Sequence, residues 1–277
     1  MDNLEAFKSF QELVKRIRSK MNEINVIIAV MSGKGGVGKS FVTANLAAAL
    51  AIKGMKVGVL DADIHGPSIP KMMGLTGKTL YADDSGNILP IESTLGIKVV
   101  SMDFLLPGTE TPVVWRGPIK TRVIMQFLAD VKWGHLDFLL VDLPPGTGDE
   151  ALTIAQNLMG VARALIVTIP SEVSRHVVVK AVTFARKLNM KILGIIENMS
   201  GFTCPKCNTT FYPLGKGGGR RIAEEMKVPF LGEIPLDPRI SDSCDKGRIF
   251  VSEHPETPAA RTLIKIAETI IESEKQV

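Results

Sequence analysis

A glycine-rich segment near the N-terminus carries the residue types that bind phosphate. Its sequence, VMSGKGGVGKSFVTANLAAAL over residues 30–50, places Gly33, Gly38, Lys39 and Ser40 in the spacing G-x-x-x-x-G-K-[ST]. In such a loop backbone N–H groups surround phosphate oxygens, the lysine reaches the β- and γ-phosphates, and the serine hydroxyl ligates Mg²⁺. An apolar strand before the loop and a helix after it are the context that this motif requires, so we expect a nucleoside triphosphate site. A glycine-rich turn that binds nothing is the alternative.

Three carboxylates follow apolar runs and are candidates for the metal shell and for handling the hydrolytic water. Asp142 ends the run in FLLVDLPPGTGD, where P-loop enzymes hold their metal. Asp61 and Asp63 end VGVLDAD, and residues i and i+2 of an extended strand share a face, so both are expected to point toward the phosphates. A helix cap or turn is the alternative role for Asp142, and solvated loop carboxylates are the alternative for the other two.

A cysteine pair in CPKC, Cys204 and Cys207, supplies two thiolates where tetrahedral zinc or a cubane iron–sulfur cluster wants four. Cys244 is distant in sequence and is expected to be a partly buried thiol. Two copies of the chain related by a two-fold axis would complete a four-thiolate site. A dimer-bridging zinc, as in half a zinc ribbon, and a thioredoxin-like redox pair remain alternatives.

Composition and charge exclude several classes. The 277 residues are 45% hydrophobic, enough for a large buried core, and no apolar run approaches the roughly 18 residues of a membrane span. The N-terminus lacks the pattern of a signal peptide, so we expect a cytoplasmic protein without a membrane partner. A net charge of +4, from 33 basic and 29 acidic residues, is too small and too evenly spread to indicate nucleic-acid binding.

The elements that must position these residues alternate between β-branched runs and amphipathic stretches. This alternation predicts an α/β fold with one domain, a mostly parallel sheet and helices on both faces. The strand candidates are NVIIAVMS, KVGVLDAD, GIKVVSM, DFLLVDLP, ALIVTIP, KILGIIENM and VPFLGEIP. The helix candidates are Lys39–Lys53, Ile119–Val131, Glu150–Met159, Ser174–Leu188, Gly218–Met226 and Pro258–Glu274.

The domain prediction is an N-terminal amphipathic helix over 1–24, followed by a P-loop ATPase domain over 25–277. The apolar residues at helical spacing in the first segment are Leu4, Phe7, Phe10, Val14 and Ile17. Two long irregular connections, 65–96 and the cysteine-bearing insertion at about 200–219, interrupt the alternation and are expected to be functional loops.

Four segments together resemble a known family. KGGVGKS, DADIHGPS, VDLPPGTGD and ENMS…CPKC are similar to the Mrp/ApbC-type iron–sulfur cluster carrier ATPases, a branch of the MinD/ParA superfamily of P-loop NTPases, over nearly the whole chain from about Asn25. The resemblance implies an ATP-sandwich homodimer with a two-lysine (deviant) Walker A motif. It also implies that Lys34 reaches across the dimer to the partner's nucleotide, as an arginine finger does, where a solvated loop lysine would otherwise be expected.

Further roles carried over from the family are that Asp63 polarises the hydrolytic water, Asp61 supports Mg²⁺ with Ser40 and Asp142, and Asn198 hydrogen-bonds adenine. A turn or C-cap amide is the alternative for Asn198. Phe41 stands where the family usually has threonine, so only its backbone N–H is expected to meet the α-phosphate. The full expected nucleotide-binding set is Gly33, Lys34, Gly35, Gly36, Val37, Gly38, Lys39, Ser40, Phe41 and Asn198.

These features predict a homodimeric ATPase that holds a [4Fe–4S] cluster on Cys204 and Cys207 of both chains and transfers it to apoproteins, with ATP and Mg²⁺ as cofactors. The alternative is a MinD/ParA-like positioning or regulatory ATPase with structural zinc in place of the cluster. Membrane binding of the MinD kind needs a basic amphipathic tail. The C-terminal helix has balanced charge, and its apolar residues are expected to pack on the core: Leu263, Ile266, Ala267, Ile270 and Ile271.

Overall fold

The structure is a computed structural model that describes residues 3–63, 66–105, 117–171 and 174–275, with side chains from 11 onward in the first range and from 122 onward in the third. The strands are β1 Ile24–Ser32, β2 Val57–Asp61, β3 Tyr81–Ala82, β4 Ile88–Leu89, β5 Ile91–Glu92, β6 Lys98–Ser101, β7 Leu136–Asp142, β8 Ala162–Thr168, β9 Lys191–Asn198, β10 Phe202–Thr203, β11 Thr210–Phe211 and β12 Phe230–Ile234. The helices are α1 Asn3–Met21, α2 Lys39–Ile52, α3 Ile69–Met72, α4 Gly117–Asp130, α5 Asp149–Asn157, α6 Arg175–Lys187, α7 Gly218–Met226, α8 Arg239–Asp245, α9 Phe250–Glu253 and α10 Pro258–Lys275, with a 3₁₀ turn at Met102–Leu105.

Eight strands form one sheet in the order β12-β9-β8-β1-β7-β2-β6-β5. Every neighbouring pair is parallel except β5 and β6. The prediction of a single α/β domain with a mostly parallel sheet is therefore confirmed. Since parallel strands end at the same edge, the segments that follow β1, β2, β7 and β9 meet there, which is where ligands bind in open α/β sheets.

Alternation along β1 shows why the sheet is covered on both sides. Ile27, Ala29 and Met31 enter one apolar core, while Ile28 and Val30 enter the other. The first core lies under α1, α4, α5, α6 and α7, and the second lies under α2, α3, α9 and α10. A strand buried on both faces needs apolar residues on both faces, which explains the unbroken apolar run from Val26 to Met31.

The terminal helices pack on opposite faces of the sheet. In α1, Ile17 and Met21 are buried, whereas the side chains of Leu4, Phe7 and Phe10 lie outside the described residues. In α10 four of the five predicted apolar residues are fully buried, against α2 and β12: Leu263, Ile266, Ala267 and Ile270. The apolar stripe of α10 thus packs on the core, as predicted. Among the described residues, no helix has the length and apolar character that a membrane crossing requires.

Candidate functional site

The glycine-rich loop connects β1 to α2 and is shaped by two close approaches. Gly33 lies against the backbone of Val177, so that a Cβ at this position would come within 2.5 Å of the Val177 carbonyl group. Gly38 precedes α2 with a φ of 80°, and a Cβ there would lie 2.2 Å from Asn198 Nδ2. Neither position has room for a side chain. The backbone of Gly38 also lies in the left-handed region that glycine favours.

Asp142, at the end of β7, is the centre of a buried hydrogen-bond network. Its Oδ2 accepts from Lys39 Nζ and from Ser40 Oγ, each at 2.6 Å, and its Oδ1 accepts from Thr43 Oγ1 at 2.6 Å. These contacts fix the first turn of α2 beneath the loop. The ammonium group of Lys39 has three N–H donors, so it can hold Asp142 and still donate to a phosphate oxygen. Sequence reasoning found Asp142, Lys39 and Ser40 but missed Thr43.

Asp61 ends β2 beside β7 and is also fully buried. Its Oδ2 accepts from Ser101 Oγ at 3.1 Å, a partner that the sequence did not suggest. Burial, followed by the repulsion of Asp142, raises the pKa of Asp61 to about 8. Two adjacent carboxylates and the Ser40 hydroxyl form an oxygen-rich set beside the phosphate loop, and such a set fits the preference of Mg²⁺. The residues present therefore fit the predicted metal.

Asp63 is placed by a turn and not by strand alternation. Because β2 ends at Asp61, the expectation that both carboxylates share one extended strand is wrong: the Asp63 N–H turns back to donate to Asp61 Oδ1 at 3.3 Å. Asp63 nevertheless lines the cavity of about 210 Å³ beside the phosphate loop, together with Ser68 and Pro145. Its predicted role in handling the attacking water stays a prediction.

Lys34 lines the same cavity and is partly exposed. Its backbone is held by a 3.0 Å hydrogen bond from Ser32 Oγ to the Lys34 carbonyl oxygen. Within the part of the chain that the structure describes, no carboxylate forms an ion pair with its ammonium group. The geometry leaves this ammonium available to a ligand or to a second chain.

A larger, mainly apolar cavity of about 450 Å³ adjoins the loop and has the size for a nucleotide base. The loop side is formed by Gly38 and Phe41, and Phe41 also packs on Phe250 with ring centroids 6.0 Å apart. The remaining lining residues, apart from Asn198, are ones that sequence reasoning missed: Met199, Phe202, Pro235, Leu236, Asp237, Pro238, Ile240 and Ser241. They follow β9 and β12, so only the strand order brings them to the loop.

Asn198 lines this cavity and donates from Nδ2 to the Val37 carbonyl oxygen at 2.9 Å. The amide therefore braces the phosphate loop, and its Oδ1 and the second N–H of Nδ2 remain for the predicted contact with a base. The preceding residue, Glu197, is fully buried and points to the opposite face of the sheet, where α7 begins. Sequence reasoning did not single out Glu197.

The cysteine pair lies at the tip of the small hairpin formed by β10 and β11, which leaves the sheet after β9. The Cys204 N–H donates to the Thr209 carbonyl oxygen at 2.9 Å, and the Asn208 N–H donates to the Cys204 carbonyl oxygen at 2.9 Å. Hydrogen bonding with the Thr209 hydroxyl, 3.4 Å from Cys207 Sγ, lowers the pKa of the Cys207 thiol. Cys207 is exposed, and the lowered pKa of its thiol favours the thiolate, which is the form that binds metals.

A third ligand for this pair is not found within the described residues, where no group of three or more His, Cys, Asp or Glu side chains could hold a metal. Cys244 lies on α8, and burial followed by the nearby Asp245 raises the pKa of its thiol. Apolar side chains flank the cysteine hairpin at the surface, since Phe211, Tyr212 and Leu214 are exposed.

Comparison with known proteins places this site in context. Two curated relatives are each named iron-sulfur cluster carrier protein. The relative from Saccharolobus solfataricus is 54% identical, over 92% of this chain and 86% of its own length. The relative from Methanocaldococcus jannaschii is 55% identical, over 84% of this chain and 80% of its own length. A solved nucleotide-binding protein from Archaeoglobus fulgidus, in complex with ADP, is 43% identical with a TM-score of 0.76, over 85% of this chain and 92% of the other.

The fold is also similar to that of proteins with lower sequence identity. The cell division protein MinD from Aquifex aeolicus superposes with a TM-score of 0.63 at 22% identity, over 89% of this chain and 97% of its own. Residues 23–271 match the profile of the ParA family described as NUBPL iron-transfer P-loop NTPase. The match spans the phosphate loop, the buried carboxylates and the cysteine hairpin. The chain therefore belongs to this family of iron-transfer P-loop NTPases.

Proposed function

We propose that this chain is an ATP-hydrolysing iron–sulfur cluster carrier, in which two copies hold a [4Fe–4S] cluster and deliver it to apoproteins. The observation that carries the proposal is the presence, on one sheet edge, of a phosphate loop with buried carboxylates and a hairpin with two accessible thiols. The names of the relatives support the cargo, and the ADP complex of the Archaeoglobus protein supports the nucleotide.

On the nucleotide side, the N–H groups of the loop and Lys39 bind the phosphates, while the apolar cavity beside Phe41 takes the base. Asp63 would orient the attacking water, a role supported by its position in the wall of the cavity beside the loop. Mg²⁺, held by Ser40 with Asp61 and Asp142 in its shell, would supply neutralisation of phosphate charge. Lys34 of a second copy would add positive charge to the same phosphates.

On the cargo side, one chain offers two thiolates, and a cubane cluster usually has four cysteine ligands. A two-fold dimer brings the same surface of each chain together, so Cys204 and Cys207 of both copies complete the set. The exposed Phe211, Tyr212 and Leu214 beside the pair favour such burial, since these side chains lose apolar contact with water in a dimer. ATP would then bias the dimer between holding and releasing the cluster, which requires different nucleotide affinities in the two states.

The second candidate is a positioning or regulatory ATPase in which the hairpin binds structural zinc. The observation that favours it is the hairpin itself, because a C-x-x-C turn between two short antiparallel strands is half of a zinc ribbon. Thiolate sites accept zinc readily, so the metal must be measured under conditions that keep iron available.

The experiment is anaerobic reconstitution with iron and sulfide, followed by measurement of iron, sulfide, zinc and oligomeric mass. The wild type is compared with the double variant Cys204→Ser, Cys207→Ser and with Cys244→Ser as the matched control. We expect about four irons per two chains in the wild type and the control, and none in the double variant. Equal cluster in the double variant would refute the carrier proposal. Zinc at about one per two chains, unaffected by reconstitution, would favour the second candidate.

A further inference from the structure

The cysteine insertion has no core of its own. Between 203 and 216 every side chain is exposed except that of Cys204, and regular structure is limited to the two-residue strands β10 and β11. A segment that buries so little cannot fix its own orientation. The direction in which Cys204 and Cys207 point is therefore set where the insertion leaves and rejoins the domain.

One buried carboxylate, that of Glu197, holds both ends of the insertion, which are the outgoing stem at Ser200 and the returning stem at Gly217. Glu197 Oε1 accepts from Ser200 Oγ at 2.6 Å, at the start of the insertion, and from the Gly217 N–H at 3.3 Å, at its end. Glu197 Oε2 accepts from the Gly219 N–H at 2.6 Å, in the first turn of α7. The side chain is 0% exposed, so these bonds are made away from water, where an unpaired partner is costly.

The same stem also reaches the nucleotide cavities. Asn198, the next residue of β9, points to the other face and donates to Val37 of the phosphate loop. Phe202, two residues before Cys204, is itself part of the wall of the base cavity. Between them, the Leu236 N–H donates to the Gly201 carbonyl oxygen at 2.8 Å, which ties the stem to the opposite wall of that cavity.

We propose that Glu197 is a positioning residue through which an occupied base cavity raises the metal affinity of Cys204 and Cys207. This inference rests on the proposed function and adds a route by which nucleotide binding changes metal binding at the cysteine pair. A bound base packs on Phe202 and restrains the outgoing stem, and the Glu197 carboxylate passes that restraint to the returning stem at Gly217. Thiolates that are already ordered lose less conformational entropy when they bind metal, so nucleotide and metal favour each other.

The test measures coupling and not stability. Co²⁺ is the probe, because its sulfur-ligated form absorbs visibly, and ADP with excess Mg²⁺ fills the nucleotide site. We expect ADP to tighten Co²⁺ binding by at least about fivefold in the wild type, and Co²⁺ to tighten ADP binding by the same factor, since linkage is reciprocal. In Glu197→Gln the amide N–H₂ faces a backbone donor, so this ratio should fall to within about twofold of one while Co²⁺ still binds.

The matched control is Glu233→Gln, which makes the same chemical change at the register partner of Glu197 on β12, where the side chain pairs with Arg220. It should keep the wild-type ratio. Ser200→Ala removes one donor to Glu197 and leaves the carboxylate, so it should lower the ratio in the same direction even if Glu197→Gln does not fold.

Failure of the coupling can be told apart from failure of the proposed carrier function. If the double-cysteine variant binds Co²⁺ as the wild type does, both the carrier proposal and the coupling fail. If Co²⁺ binds through the cysteines but ADP leaves its affinity unchanged, the coupling alone is wrong. A wild-type ratio in both Glu197→Gln and Ser200→Ala would also overturn it.

Discussion

Asp61 and Asp142 are direct neighbours across two parallel strands, and both carboxylates are fully buried. Asp142 has Lys39, Ser40 and Thr43 as donors, whereas the donors to Asp61 among the described residues are Ser101 and the Asp63 N–H. The pair is therefore asymmetric: one carboxylate is neutralised by an ammonium group, and the other carries the electrostatic cost of the arrangement.

Replacing Asp61 with asparagine should relieve that cost and weaken metal binding. The amide keeps the shape, and its Nδ2 can donate to the Ser101 hydroxyl once that group turns. We expect Asp61→Asn to raise the unfolding free energy of the nucleotide-free protein by about 1 kcal/mol or more, and to weaken Mg²⁺-dependent ATP binding about 10–100-fold. Thermal unfolding and calorimetric titration measure the two effects. An unchanged Mg²⁺ requirement would argue against a metal role for Asp61.

Gly33→Ala should destabilise the protein because the new methyl group meets the Val177 backbone at 2.5 Å. Overpacking of this kind costs about 1–3 kcal/mol. The matched control is Gly35→Ala, since a Cβ at Gly35 has nothing within 4 Å. Chemical denaturation should show a loss for the first variant and little change for the second, and equal stabilities would contradict the close approach.

Thr43→Val should show whether the unpredicted hydroxyl supports Asp142. The substitution keeps the side-chain shape but leaves the buried Asp142 Oδ1 without its 2.6 Å donor. We expect a loss of about 1–3 kcal/mol in unfolding free energy together with weaker ATP binding. Thr43→Ser retains the hydroxyl and serves as the control. If both variants match the wild type, the bond contributes nothing measurable.

Lys34→Ala should abolish most ATP hydrolysis while ATP still binds, because the loop N–H groups and Lys39 remain. The action across the dimer has a sharper test in mixed chains. A dimer of one Lys34→Ala chain and one Asp63→Asn chain contains one site with an intact Asp63 that receives Lys34 from its partner. Mixing two inactive variants should therefore restore part of the hydrolysis rate. Absence of any recovery, with heterodimers shown to form, would rule out action in trans.

Glu274 should make stability depend on pH at the acid end. Burial opposes ionisation of this carboxylate, but hydrogen bonds from Arg163 Nε at 2.8 Å and Lys191 Nζ at 3.1 Å outweigh it and lower the pKa below the ordinary 4.5. The folded state then stays ionised where the unfolded chain gains a proton, so this stabilisation is complete above pH 4.5 and declines as the pH falls.

Glu274→Gln should accordingly lower the unfolding temperature at pH 7, through a loss of about 1–3 kcal/mol. The difference from the wild type should shrink as the pH falls below about 4. Unfolding temperatures of both proteins between pH 7 and pH 3.5 provide the measurement. A difference that is independent of pH would assign the effect to packing and not to the ion pairs.

Much of the fold was predictable because its signals are local. The seven strand candidates correspond to β1, β2, β6, β7, β8, β9 and β12, and the six helix candidates correspond to α2, α4, α5, α6, α7 and α10. Each is long enough for apolar periodicity to identify it. The elements that were missed, such as β3 to β5 and α8, are short, and their form depends on turns and on packing against the finished domain.

The site was predictable only where a motif carries it. Lys39, Ser40 and Asp142 belong to motifs with a fixed structural context, and the structure brings them together. Thr43 meets Asp142 across 99 positions of sequence, and Glu197 meets Gly219 across 22, through contacts that depend on strand order and on which face each side chain takes. No local pattern encodes those choices.

The cysteine insertion closes on itself, since its two ends meet at Glu197 and its exposed middle adds nothing to either core. Residues 203–216 could therefore be exchanged for another metal-binding loop without removing a side chain from either core, provided that Phe202, which lines the base cavity, is kept. For protein engineering, this makes the chain a nucleotide-binding scaffold with an exchangeable cargo arm.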